Sequence, residues 1–183
     1  RLLRLKNDIL IINQTIENKT KEKSREVDLF EVFEEVHEVK INIAKKKNIK
    51  VKYDFENKDI DLWEYSGYIR QILLNIISNA IKYTGENGKV SIKQYIKSEK
   101  VFIEVKDNGI GIPEEDIERI FERFYRVDKA RSRSVGGTGL GLAITKHMVK
   151  ALNGNIRVES ELGVGSKFII ELPFNQEFAQ KAS

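Results

Sequence analysis

The stretch EVKDNGIGIPEED, residues 104–116, starts as a strand and then joins an acid to two glycines. Val101, Ile103 and Val105 alternate with Phe102, Glu104 and Lys106, so period-two counting aims the Asp107 carboxylate at the apolar side. Further on, GGTGLGLAITKHMV sets Gly137, Gly139 and Gly141 before and inside the first turn of a predicted helix. Amides at a helix start have no intrahelical partner and lie at the positive end of the dipole, and glycine lets phosphate oxygens come close, so this turn is a candidate anion site. It is not a Walker motif, because no Lys-Ser/Thr pair follows the glycines. Nor is it a dinucleotide fingerprint, because Ile144 stands where the last glycine or alanine would fall. Asn75, Asn79 and Lys82 recur at i, i+4 and i+7, a narrow polar stripe beside a wide apolar helix face.

The elements that must hold these groups can be read from periodicity. Leu2, Leu5, Ile9, Ile12 and Ile16 form a heptad seam, and NKTKEKS reads as a linker. A short strand over 27–29 precedes an amphipathic helix carrying Leu29, Val32, Phe33, Val36, Val39 and Ile43. NIKVKYDF is strand-like, and the polar stripe lies on a helix from about Ser66, its expected N-cap, to Tyr83. KVSIKQYI and KVFIEVKD alternate as two strands around a turn near Ser98 and Glu99. Residues 108–137 show little period apart from a short helical piece after Pro113, and connections of that length are usually functional or disordered. A helix over 139–152, strands over 155–159 and 166–172, and a loose tail over 175–183 complete a mixed α/β layer.

Bulk properties narrow the class. The 183 residues suit one core with a small appendage, and 40% hydrophobic with 33% charged residues is an ordinary globular composition. There are no cysteines, hence neither disulfides nor a thiolate metal site, which suits a reducing cytoplasm. No apolar run approaches the roughly 20 residues of a membrane helix. Arg1 stands inside a helical pattern, so the chain reads as a fragment of something longer. The formal charge of +4 is matched by one loop: over 123–133, Arg123, Arg126, Lys129, Arg131 and Arg133 are opposed only by Asp128. That localisation argues against nucleic acid as a partner. The runs 19–25 and 45–47 read as solvated linker and helix end.

LLNIISNAIKYT at 73–84, DNGIGI at 107–112, FERFYR at 121–126, GGTGLGL at 136–142 and GVGS at 163–166 occur in one order and spacing. Together they resemble the N box, first glycine box, F box, second glycine box and following glycine turn of the ATP-binding domain of sensor histidine kinases. That domain is grouped with the gyrase, Hsp90 and MutL ATPases. The resemblance covers nearly all of 26–173 and implies an α/β two-layer sandwich, a mixed sheet of about five strands under three helices. It implies a catalytic domain over 21–174, with residues 1–20 as the end of the dimerisation helix.

The resemblance also implies roles. Asp107 would accept from the exocyclic amine of adenine and face another acceptor if guanine were offered, a mismatch costing on the order of 1–3 kcal/mol. Gly109 and Gly111 would bend the backbone away from the base, beside Ile112. Asn79 would bind Mg2+, an ion that takes oxygen ligands and keeps several waters. Lys82 would contact phosphate, Tyr83 would lie against the nucleotide, and Asn75 would act as an outer or phosphate contact. Gly137, Thr138, Gly139, Leu140, Gly141 and Leu142 would line the phosphate chain. Arg126, and with it Arg123, would reach the terminal phosphate of ATP when the lid closes.

In the hydrolytic relatives a glutamate stands at the position of Asn75, and an amide cannot serve as a base. The resemblance therefore implies phosphoryl transfer to a histidine on a dimerisation domain. That acceptor motif is missing: the only histidines, His37 and His147, lie on amphipathic helices and read as structural. A homodimeric parent, a response regulator partner, a cytoplasmic location for this part and membrane anchorage of the parent follow from the same resemblance. Two departures stand out: Lys167 where the family often has threonine, and Tyr65 where an acid commonly precedes the N-box helix. A non-catalytic ATP-sensing module and a slow ATPase of the gyrase or Hsp90 kind remain as alternatives.

Overall fold

The computed structural model describes residues 25–64, 67–127 and 138–174. The heptad seam over 2–16, the run over 19–24, the tail over 175–183, Tyr65, Ser66, and the basic and glycine residues of 128–137, Gly137 among them, lie outside the described residues. Strands are β1 (Arg25–Asp28), β2 (Lys50–Phe55), β3 (Asp61–Glu64), β4 (Lys89–Lys97), β5 (Lys100–Asp107), β6 (Asn155–Glu161) and β7 (Gly165–Pro173). Helices are α1 (Leu29–Lys46), α2 (Tyr68–Tyr83) and α3 (Gly141–Ala151), with single 3-10 turns at Glu114–Asp116 and Arg119–Phe121.

Five strands form one mixed sheet in the order β2-β4-β5-β7-β6. The β2–β4 pair is parallel and the others antiparallel. The β4–β5 connection falls at Ser98 and Glu99, both with positive φ (50° and 58°), the mirror-image turn whose twist matches a hairpin. The sheet is expected from sequence; β3 is not. It pairs antiparallel with β1, Glu26 opposite Trp63, in a separate two-stranded ribbon. Four residues with polar ends give too short an alternation to be read as a strand.

Each helix carries one apolar face and lays it on the same side of the sheet, α2 between α1 and α3. Ile69, Ile72, Leu73, Ile76, Ile77, Ala80 and Ile81 of α2 are all buried, and full burial of each large aliphatic stabilises by about 1.5–3 kcal/mol. Val101, Ile103 and Val105 of β5 and Phe168, Ile170 and Leu172 of β7 meet that layer from below. The outer face is polar: Tyr95 stacks on Phe102 at 5.1 Å and donates to Glu104 at 2.8 Å.

The helix starts differ from expectation. α2 begins at Tyr68 with Gly67 as N-cap (φ +76°), not at Ser66. α3 begins at Gly141, because Gly139 has φ +75°, left-handed backbone that cannot continue into a right-handed helix. Asp28 caps α1, accepting from Phe30 N at 2.7 Å and Glu31 N at 3.3 Å.

Candidate functional site

Asn75 of the polar stripe faces the first turn of α3. Asn75 Nδ2 donates to Gly141 O and to Thr145 Oγ1, both at 3.2 Å, and Asn75 Oδ1 accepts from Gln71 Nε2 at 3.0 Å. Both amide hydrogens of Asn75 are thus engaged in clamping two helices together. Asn79, half-buried, stands one turn further along the stripe. Lys82 follows, its ammonium 4.7 Å above the ring of Tyr83, which is exposed.

Asp107 ends the inward row of β5, as counting predicts, and is 6% exposed. Burial pushes its carboxyl above the ordinary aspartate range, against the opposing pull of backbone N–H groups of Gly109 and Ser166. Gly109 N donates to Asp107 Oδ1 at 2.8 Å, and Ile110 N donates to Tyr83 O at 3.2 Å, which ties this loop to the end of α2. The glycines are required here by the protein's own backbone. A Cβ on Gly109 would come within 2.4 Å of Tyr83 O, and one on Gly111 (φ +69°) within 1.9 Å of Glu161 O. Ile112, partly buried against the core, donates its N–H to Ser160 Oγ at 2.9 Å.

The F-box segment meets the second glycine box through Phe124 N, which donates to Gly139 O at 2.9 Å. A Cβ on Gly139 would lie 2.8 Å from the Phe124 backbone, so this contact also demands glycine. Arg123 is exposed; Arg126 is half-buried, and its Nη2 is buried with no hydrogen-bond partner among the described residues. A guanidinium nitrogen in that state calls for an acceptor. Leu140, fully buried, is the N-cap of α3 and offers its first turn no side-chain hydrogen bond. Thr138 Oγ1 accepts from Leu140 N at 3.4 Å, and Leu142 packs partly into the core. At Gly141 an added Cβ would meet, among the described residues, only Asn75, at 3.8 Å, an ordinary contact.

Two groups near the site carry no signal in the sequence. Glu64, 1% exposed, accepts from Gly67 N at 3.1 Å and Ile69 N at 2.8 Å and pairs with Arg25 at 3.1 Å. It supplies a carboxylate to the start of α2 from one residue before Tyr65. Lys47, expected in a solvated run, instead donates to the carbonyls of Ile81, Lys82 and Thr84. No pattern of residue types marks either set of carbonyl or amide contacts, since those partners are backbone atoms. Lys167 pairs with Glu159 at 2.6 Å on the outer face, and the β7 residue opposite Asp107 is Ser166. The departure at Lys167 therefore lies on the far side of the sheet from Asp107.

Comparison with known proteins places this geometry. Residues 65–176 match the family model described as histidine kinase-, DNA gyrase B- and HSP90-like ATPase. The chain belongs to that family and is a catalytic domain of the sensor histidine kinase type. It is 39% identical over 179 residues to the sensor histidine kinase WalK of Bacillus subtilis, covering 97% of this chain and 29% of WalK. It is 41% identical over 137 residues to the histidine-protein kinase ArlS of Staphylococcus aureus, covering 73% of this chain and 30% of ArlS. The chain thus spans under a third of these relatives. Among solved structures, the catalytic domain of histidine kinase ThkA superposes with TM-score 0.73 at 33% identity, covering 83% of this chain and 96% of that one. Full-length ShkA in complex with AMPPNP gives TM-score 0.81 at 32% identity, covering 96% of this chain and 36% of that one.

Proposed function

We propose that this domain binds Mg2+-ATP and presents its terminal phosphoryl group to a histidine on the dimerisation domain of a sensor kinase. The observation that carries the reading is the start of α3. Carboxylates cap α1 and α2, through Asp28 and Glu64, whereas the start of α3 has no carboxylate cap among the described residues, only the long contact from Leu140 N to Thr138 Oγ1, and lies against Asn75 of the polar stripe. Uncapped amides at a helix start, together with Arg126 and its buried nitrogen, suit a polyphosphate.

The chain's own groups would divide the work. Asp107 would select adenine, Tyr83 would lie against the base, and Gly141 with its neighbours would hold phosphate oxygens. Lys82, Arg126 and Arg123 would balance charge at the terminal phosphate. For the metal, Asn79 offers one neutral oxygen, and among the described residues no group of three His, Cys, Asp or Glu could form a protein cage. Such a donor set fits Mg2+, which draws most ligands from phosphates and water and supplies charge neutralisation when bound. Transfer would form a bond from the acceptor nitrogen to the γ-phosphorus and break the bond to the bridging oxygen, releasing ADP. Asn75 favours transfer over hydrolysis: its amide, whose hydrogens go to Gly141 O and Thr145 Oγ1, cannot take a proton from an attacking water.

The same reading makes residues 1–20 the end of the dimerisation helix, the parent a homodimer that passes phosphate to a response regulator, and its anchor the cell membrane. Among the described residues no helix is long and apolar enough to cross a membrane. Calorimetric titration with a non-hydrolysable ATP analogue, with and without Mg2+, tests the site. Magnesium-dependent binding supports it, and absence of binding removes it. Phosphate transfer to a supplied dimerisation domain carrying the acceptor histidine then separates a kinase from a module that only senses ATP.

A further inference from the structure

The last turn of α2 carries Lys82 and Tyr83, and helix ends fray unless their carbonyls find partners. Here each of the four does. Ala80 O accepts from Thr84 N at 3.1 Å and Tyr83 O from Ile110 N at 3.2 Å. Ile81 O and Lys82 O accept from one ammonium, that of Lys47, at 2.7 Å and 3.1 Å, and Thr84 O accepts from it as well. An ammonium has three hydrogens to donate, so three carbonyl oxygens exhaust it.

Lys47 comes from a different element, and its own backbone is fixed to the loop that follows α2. Asn87 N donates to Lys47 O at 3.0 Å, Lys50 N to Gly88 O at 2.9 Å, and Asn48 Nδ2 to Asn87 Oδ1 at 2.6 Å. The α1–β2 connection therefore holds its lysine at the negative end of α2, where a cation is favoured by the helix dipole as well as by hydrogen bonding. Partial burial lowers the Lys47 ammonium below the ordinary lysine range, opposed by nearby Glu86. The three carbonyls offset that desolvation by accepting from the charged form.

We propose that Lys47 is a positioning residue for nucleotide binding: its ammonium holds the final turn of α2 so that Lys82 and Tyr83 are presented together to the nucleotide. The proposal rests on the nucleotide role of those two residues. Lys47 acts through the carbonyls it gathers.

Affinity for the Mg2+-bound ATP analogue is measured for the wild type, Lys47→Met and Lys47→Arg, and again in a background carrying Lys82→Ala and Tyr83→Ala. The methionine variant keeps the length without the donors and should bind about tenfold more weakly, while arginine stays within about threefold. In the doubly substituted background, Lys47→Met should change affinity by less than about twofold, because the residues it positions are gone. A merely stabilising lysine would show the same loss in both backgrounds, and that result overturns the proposal, as does wild-type affinity in Lys47→Met. If the wild type itself fails to bind, the nucleotide reading falls and takes this proposal with it, an outcome distinct from both. Should Lys47→Met not fold, Lys47→Gln, which retains one pair of donor hydrogens without charge, carries the same expectations at about threefold.

Discussion

Two helix ends meet near the proposed site, and they are finished in opposite ways. The end of α2 is closed: Lys47, Thr84 and Ile110 leave none of its last four carbonyls without a partner. The start of α3 is more open: the N–H of its N-cap Leu140 reaches Thr138 Oγ1 at a long 3.4 Å, and among the described residues no carboxylate accepts from its first turn. The other two helix starts, at Asp28 and Glu64, show that this chain caps helices with carboxylates where a cap is all that is needed. Uncapped amides cost free energy in the unliganded protein, and this difference is what supports the proposal that the start of α3 receives an external anion. The glycines divide along the same line. Gly109, Gly111 and Gly139 are required by backbone packing, whereas at Gly141 no described residue stands in the way of a side chain.

The most direct challenge to this contrast is to close the open end. Gly141→Asp sets a carboxylate in the first turn of α3, where the dipole favours it by about 0.3–1 kcal/mol, so stability against denaturant should hold or rise. Binding of the ATP analogue should fall by on the order of 100-fold, since the carboxylate takes the anion's place and repels it. Affinity within about threefold of wild type would mean that phosphate lies elsewhere. Next in size, Asn79→Ala should remove the dependence of affinity on Mg2+, a loss of about 10- to 100-fold at millimolar magnesium in calorimetry. An unchanged response to magnesium would take the metal away from Asn79. Smaller again, and sharper in what it separates, Asp107→Ala should weaken ATP by about tenfold while leaving inorganic pyrophosphate within about twofold. Equal losses for both would place Asp107 with the phosphates rather than the base.

Much of this layout is legible in the order of the residues alone. Period-two alternation places Asp107 at the end of the buried row of β5, and the wide apolar face of α2 puts Asn75 and Asn79 on its border. What the sequence hides are contacts whose partner is a backbone atom brought from elsewhere. Lys47 is one of three consecutive lysines, and nothing in that run distinguishes the one whose ammonium meets three carbonyls at the end of α2. Glu64 ends a strand too short to be seen, and its capping of α2 depends on the turn at Gly67 rather than on the adjacent serine. The start of α3 shifts from Gly139 to Gly141 because of one positive φ, a conformation glycine permits but does not announce.

The smallest effect concerns Asp107, the buried acid proposed to select the base. Burial holds the Asp107 carboxyl above its ordinary value of 3.8, so the folded protein binds that proton more tightly than the unfolded chain. As pH rises from 3.8 toward the raised value, the unfolded chain gives up its proton first and wild-type stability falls; above the raised value the loss is complete. Asp107→Asn removes this titration while keeping an oxygen that accepts from Gly109 N. The unliganded variant should therefore be the more stable protein at about pH 7, and its advantage should shrink as pH is lowered through that window and vanish below 3.8. Saturating ATP analogue should reverse the order at about pH 7, because bound ligand stabilises by an amount that grows with the logarithm of its affinity. Denaturant unfolding at several pH values, with and without the analogue, checks both halves. A variant less stable than wild type at neutral pH without ligand would show that the ionised carboxylate is stabilised by the fold, and Asp107 would then belong with the closed, self-satisfied end of the site rather than with its open one.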